Sequence, residues 1–219
     1  MITSAELQKA EVCETGVRLL VGGESITCET VLCAVGRTPY TQGLRLENAG
    51  VACSEKGFIE VDPSFRSAQK HIYAVGDCID TLAYAHTAYA EARITAQNII
   101  GGGSALNSHV TPSTIFTDPA VASCGLREKE AGEQGRAVEV RKAYFKANAK
   151  AKIEGDDSGF AKIIVCSESG VILGASVVGV EATEIIHEMV LAVEKRLTAT
   201  ELKEMIHAHP SVSEIFRYI

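Results

Sequence analysis

Several features are missing from this 219-residue sequence, and each absence removes a class of function. There is no excess of positive charge: 21 Lys and Arg face 28 Asp and Glu, a net of −7, and the charges are dispersed. Without a basic stripe, nucleic acid is not an expected partner. No apolar run is long enough to span a bilayer, and Met1–Glu14 is polar with no signal-peptide core, so no membrane association is expected. The seven cysteines are odd in number and irregularly spaced. That pattern is no disulfide framework and suits a reducing, cytoplasmic setting. Cys-x-x-Cys and paired-His spacings are absent, so no metal site is expected. The Gly-x-Gly-x-x-Gly loop that cradles dinucleotides and the Gly-rich P-loop are absent too. No internal repeat or low-complexity tract occurs.

What remains is a chain of ordinary globular composition, with 46% hydrophobic and 22% charged residues. Its first part carries strand-like runs at Val17–Val21 and Ile26–Val35, split by the turn Gly22-Gly23. Thr30–Val35 is nearly all apolar, which predicts a strand buried on both faces, ended by Gly36-Arg37-Thr38-Pro39. His71–Val75 reads as a second buried strand running into Gly76-Asp77. Tyr84–Ile100 is Ala-rich without Pro or Gly and predicts a helix that stops at Gly101-Gly102-Gly103. Strand, loop and helix in this order are α/β material. The glycines and the polar run to His109 mark a linker.

Beyond the linker the pattern changes. Strands are predicted at Ala120–Cys124, Val138–Phe145, Phe160–Val165 and Val171–Val178, the last two joined by the hairpin signal Ser167-Glu168-Ser169-Gly170. Helices are predicted after them at Ala182–Arg196 and Ala199–His207, with Thr198 and Glu201 at capping-box spacing. Strands followed by helices predict an α+β domain on an antiparallel sheet, preceded by α/β pieces.

The most informative stretch for chemistry is His207-Ala208-His209-Pro210-Ser211-Val212-Ser213-Glu214. Pro210 restricts His209 to extended backbone. Ser211 or Ser213 can cap a short terminal helix and bring Glu214 near its first turn. A carboxylate there fixes the imidazole tautomer and raises the basicity of the other nitrogen. Spacing alone leaves open a terminal histidine that is near a carboxylate by chance. Gly76-Asp77, at a strand end, allows close ligand approach and offers a carboxylate to sugar or polyol hydroxyls, though the dipeptide is also an ordinary turn. The helix starting near Ala85-His86 directs unpaired N–H groups at negative charge. Gly36-Arg37-Thr38-Pro39 is either a plain turn or a nucleotide contact. Cys28 and Cys33 have redox-pair spacing, but five strand residues put their side chains on opposite faces with Cα atoms roughly 16 Å apart. A disulfide needs about 7 Å or less, so the pair is rejected. His187, among apolar neighbours, reads as a packed or interfacial helix residue.

Taken in order, Thr30–Pro39, His71–Asp77, Tyr84-Ala85-His86-Thr87-Ala88, Phe116-Thr117-Asp118-Pro119 and His209–Glu214 resemble the pyridine nucleotide–disulfide oxidoreductases, and within them the dihydrolipoyl dehydrogenase branch. The resemblance covers nearly the whole chain. It implies a flavoprotein with FAD and NAD as cofactors. The implied domains are the end of an NAD-binding domain (1–37), the closing segment of an FAD-binding domain (38–110) and a dimerisation domain (111–219). His209 would take a proton from a dithiol, oriented by Glu214. Gly76 and Asp77 would hold the flavin ribityl chain, and Ala83, Tyr84, Ala85 and His86 would approach the pyrimidine end of the isoalloxazine. Gly36 would lie against the nicotinamide dinucleotide. The implied partners are a second copy in a homodimer, each histidine serving the partner's flavin, then dihydrolipoamide on a lipoyl domain and a 2-oxo acid dehydrogenase complex.

Three departures stand out. Tyr40 replaces the usual Asn, and Ser211 the usual Thr. The FAD fingerprint, the reactive Cys-x4-Cys helix and the NAD fingerprint, which the family carries upstream, are absent, so this chain by itself is expected to be inactive. The ending Phe216-Arg217-Tyr218-Ile219 differs from the Cys pair of mercury-reducing relatives. Ile206-His207-Ala208-His209-Pro210 looks more like the lipoamide enzymes than the glutathione reductases, which remain an alternative along with a non-catalytic dimerisation module.

Overall fold

The computed structural model describes residues 2–103 and 110–219. These residues hold two antiparallel sheets and five α-helices, along with short 3-10 turns. The first sheet joins β1 (Leu7–Cys13), β2 (Gly16–Val21) and β3 (Glu24–Cys28) in chain order, with hairpin registers such as Val12↔Val17 and Val21↔Glu24. β1 has no strand signal in the sequence, because the apolar residues of Leu7–Cys13 do not alternate with polar ones, and all of the strand but Cys13 is exposed.

Thr30–Val35 corrects the reading of a buried strand. It forms no ladder, and Leu32 and Val35 are 91% and 86% exposed. An apolar run forms a buried strand only if neighbours cover both faces, and none of the described residues does so. His71–Val75 is likewise not a regular strand. It meets the chain through one bridge, Arg66↔Tyr73, while the Ala74 amide donates to the Phe65 carbonyl at 3.0 Å. This loop folds over a small core of Val51, Ile59, Phe65, Ala74 and Ile79, onto which α1 (Ala85–Ile99) places Ile94. The predicted linker falls partly outside the described residues, at 104–109.

The second sheet has the order β4-β5-β8-β7-β6, antiparallel throughout: β4 Ser113–Ile115, β5 Val121–Gly125, β6 Val138–Tyr144, β7 Phe160–Cys166 and β8 Ile172–Val178. Ala161, Ile163 and Val165 alternate along β7 onto one face and are at most 1% exposed. α4 (Ala182–Glu194) covers β5 and β8 with Ile186 and Met189, and α5 (Ala199–Glu204) adds Leu202. Thr198 and Glu201 form the expected capping box, the Thr198 amide donating to Glu201 Oε2 at 2.7 Å. Gly174 in β8 is required by close approach: a Cβ there would stand 2.1 Å from the Leu126 carbonyl oxygen.

Two short helices lie beyond sequence reading, α2 (Glu128–Glu133) and α3 (Ala149–Glu154), both under two turns and so without readable periodicity. The chain ends in a 3-10 turn, Ser213–Tyr218, whose Ile215 and Phe216 sink into the sheet core at 0% and 1% exposure. Phe216→Ala should therefore destabilise this domain by about 3–5 kcal/mol, from lost burial plus the cavity left behind. Urea unfolding followed by circular dichroism measures it.

Candidate functional site

The candidate residues gather into two groups, with no hydrogen bond or ion pair between them among the described residues. The first is built at the chain end. Ile215 and Phe216 pin the terminal turn to the sheet, and Glu214, just before them, is held with a side chain 6% exposed. Its carboxylate lies 3.1 Å from His209 Nδ1 through each oxygen, and Oε2 also accepts the Ser211 amide at 2.9 Å. The His209 side chain is 70% exposed, so Nδ1 is engaged while Nε2 faces outward. The serines do not cap as expected. Val212 precedes the turn without a side-chain cap, Ser211 Oγ pairs with Ser213 Oγ at 3.3 Å, and Glu214 takes the amide instead. The backbone bond from Ser211, then the contact with His209, holds the Glu214 carboxyl below the usual glutamate range.

Asn148 completes this group and is absent from the residues the sequence singles out. At 1% exposure it donates from Nδ2 to the carbonyls of Ser211 and Val212, both at 3.1 Å, while Oδ1 caps α3 through the Ala151 amide at 2.9 Å. The signal for it is local: an Asn before a short helical run that ends at Gly155, whose φ is 83°. Two residues before His209, His207 makes a second pair of the same kind, Nε2 to Glu188 Oε1 at 2.9 Å, with its side chain only 5% exposed.

The second group surrounds the start of α1. Gly76, at φ 75°, opens a 3-10 turn, Gly76–Cys78, that presents Asp77 to solvent. Arg37 reaches across from the Gly36 turn, Nη1 to Asp77 Oδ2 at 2.9 Å and Nη2 to the Ala83 carbonyl. Gly36 itself is open, with no atom within 4 Å of where a Cβ would lie. The Tyr84 and His86 rings stack at 5.0 Å and tie down to the second domain: Tyr84 hydroxyl to Ser113 Oγ at 2.8 Å, His86 Nε2 to the Pro112 carbonyl at 2.9 Å. Their side chains are thus committed, leaving the backbone amides at the α1 N-terminus, which no side chain caps, to meet a ligand. Arg37 stands inside the motif already singled out, yet its link to Asp77 spans 40 residues and is not legible in the sequence.

A cleft of about 450 Å³ lies beside His86, lined also by Thr87, Pro112, Phe116, Glu184 and His187. His187 is exposed there, not packed, with Nδ1 at 3.0 Å from the Glu184 carbonyl. A larger hollow of about 720 Å³, near Phe58, Asp62 and Thr81, contains none of the candidate residues. All seven cysteines are free. Cys28 ends β3 and Cys33 lies beyond it, outside any strand. Burial pushes the Cys124 thiol up to about 12 and raises Cys78 beside Asp77. Among the described residues, no group of three or more His, Cys, Asp or Glu suited to a metal ion occurs, and no helix is long and apolar enough to cross a membrane.

The lowered carboxyl of Glu214 fixes the sign of a pH effect. Its contribution to stability is fully present above the ordinary glutamate value, about 4.3, and is lost as pH falls from there through the depressed folded value. Glu214→Gln should flatten the acid limb of a stability-versus-pH curve below that point and leave the neutral region's slope unchanged, as read by urea midpoints.

Residues 111–218 match the pyridine nucleotide-disulphide oxidoreductase dimerisation domain, and residues 1–92 match the pyridine nucleotide-disulphide oxidoreductase domain. Among curated relatives, the dihydrolipoyl dehydrogenases of Geobacillus stearothermophilus and Staphylococcus aureus are 38% and 37% identical over 98% of this chain and 47% of theirs. That of Haloferax volcanii is 38% identical over 85% of this chain and 39% of its own length. The chain thus spans about half the length of the curated relatives it matches. Solved structures agree in fold. LpdA from Mycobacterium tuberculosis superposes with a TM-score of 0.87 at 29% identity, covering 98% of this chain and 48% of that one. The HOCl-induced flavoprotein disulfide reductase RclA from Escherichia coli gives 0.89 at 27%, covering 98% and 50%. With both matched segments falling on this architecture, the chain belongs to the pyridine nucleotide-disulphide oxidoreductases, a flavin-dependent family.

Proposed function

We propose that this chain is the acid–base and dimer-forming half of a dihydrolipoyl dehydrogenase. The observation that carries the proposal is the geometry of His209, whose Nδ1 sits 3.1 Å from both oxygens of a shielded carboxylate while its ring stays exposed. A dithiol is a poor reductant until it loses a proton, because the thiolate is the reactive form. His209 Nε2 takes that proton, and Glu214 stabilises the imidazolium formed and keeps Nδ1–H directed inward. Asn148 acts through them by holding the Ser211–Val212 turn.

The second group fits half of a flavin site. Asp77 offers an exposed carboxylate to ribityl hydroxyls, Gly76 permits close approach, and the backbone of Ala83, Tyr84, Ala85 and His86 brings the positive end of α1 toward the pyrimidine edge. FAD bound there would carry the electron pair from the dithiol toward NAD. Gly36, open on the Cβ side, is where a nicotinamide dinucleotide would lie close to the backbone. We assign 1–37 to the NAD-binding domain, 38–110 to the FAD-binding domain and 111–219 to the dimer domain, in which each His209 serves the flavin of the second copy. The substrate is dihydrolipoamide on a lipoyl domain, within a cytoplasmic 2-oxo acid dehydrogenase complex. With no paired cysteines among its described residues, the chain transfers no electrons unaided.

Two measurements test this. Sedimentation of the chain should give a dimer; a monomer sinks the assigned interface. In a full-length flavoenzyme carrying this chain, His209→Gln should slow dihydrolipoamide oxidation roughly 10²–10⁴-fold with flavin still bound. Unchanged turnover would leave only a dimerisation module, and a preference for glutathione would move the chain to the glutathione-reductase branch.

A further inference from the structure

Glu91 is the least expected charged residue in the chain. It lies mid-helix in α1, is 0% exposed, and makes one hydrogen bond among the described residues: Oε2 accepts the Gly76 amide at 2.6 Å. Oε1 has no partner, and neither do the buried hydroxyls of Thr87 and Thr95, one turn to either side on the same face. Burying a carboxylate is costly, and a single bond offsets the cost only in part. No ion pair involves Glu91 among the described residues. The carboxylate's one structural product is therefore the position of Gly76.

Gly76 in turn governs the placement of Asp77. It is at φ 75° and already packs close to α1, since a Cβ there would stand 3.3 Å from Ala88 Cβ. Its amide is the first of the turn that carries Asp77, and Arg37 joins Asp77 to the Ala83 carbonyl, two residues before α1 begins. One short, charge-assisted bond thus locks two parts of the half-site to each other. We infer that Glu91 is a positioning residue for flavin, setting the Gly76–Cys78 turn against α1 so that Asp77 and the helix amides address one molecule together. The inference rests on the reading of Asp77 as a flavin ligand.

The test titrates FAD into the flavin-free form of a full-length flavoenzyme carrying this chain and into its Glu91→Leu, Glu91→Gln and Asp77→Asn variants, following flavin fluorescence, with thermal melting of each flavin-free protein alongside. Leu fills the space but cannot accept the Gly76 amide, and should weaken FAD binding about tenfold or more. Gln keeps an amide oxygen in place and should return binding to within roughly threefold of the unaltered protein, a rescue that a purely structural role of the charge would not give. Leu binding FAD as tightly as the unaltered protein, or Gln as weak as Leu with normal melting, overturns the role of Glu91 while a weakened Asp77→Asn keeps the flavin site. Asp77→Asn binding as tightly as the unaltered protein, or no binding by the unaltered protein, overturns the flavin site and this inference with it.

Discussion

The site at the chain end depends on the burial of Ile215 and Phe216. Six residues of 3-10 turn have little stability of their own, and nothing in their local sequence would hold a carboxylate still. Two large apolar side chains driven into the sheet core do so, and Glu214, adjacent in sequence, inherits their rigidity. From there the order runs outward: Glu214 fixes Ser211 and His209, while Asn148 grips the same loop from α3. This packing leaves one imidazole nitrogen of His209 engaged and the other free, without burying the ring.

The two parts of the chain are built to different standards of enclosure. The second sheet has a continuous core running from Ala122 to Phe216 and is covered on its apolar face by its own helices. The first part has a small cluster around Ile79 and a segment, Val31 to Leu44, that leaves several large apolar side chains facing solvent. Between them, Tyr84 and His86 bond to Ser113 and Pro112, so the start of α1 is registered against the edge of the second sheet. The start of α1 is thus steadied from the better-packed domain.

Much of this is readable from residue order. The strands β5 to β8, helices α1, α4 and α5 and the His209–Glu214 pairing all come out of periodicity, turn residues and short spacing, because each is decided by neighbours in sequence. Thr30–Val35 fails for the opposite reason: its apolar run says what it would need, not whether a covering strand exists. Arg37–Asp77 and Glu91–Gly76 are hidden because they join positions 40 and 15 residues apart. Glu91 is doubly hidden, since Thr87, Glu91 and Thr95 at four-residue steps look like the solvent face of a helix and are in fact buried. Asn148 reads from sequence only as the cap of a short helix, and its grip on the Ser211–Val212 turn, over 60 residues away, is not legible there.

The two histidine–glutamate pairs at the chain end share chemistry and differ in cover. His207 with Glu188 is shut in, while His209 with Glu214 stands open, two residues along the same loop. An imidazole-modifying reagent would meet the second and not the first. The protein therefore carries its own internal standard for covalent footprinting: labelling of His207 reports that the loop has come loose, and labelling of His209 alone reports that it is intact.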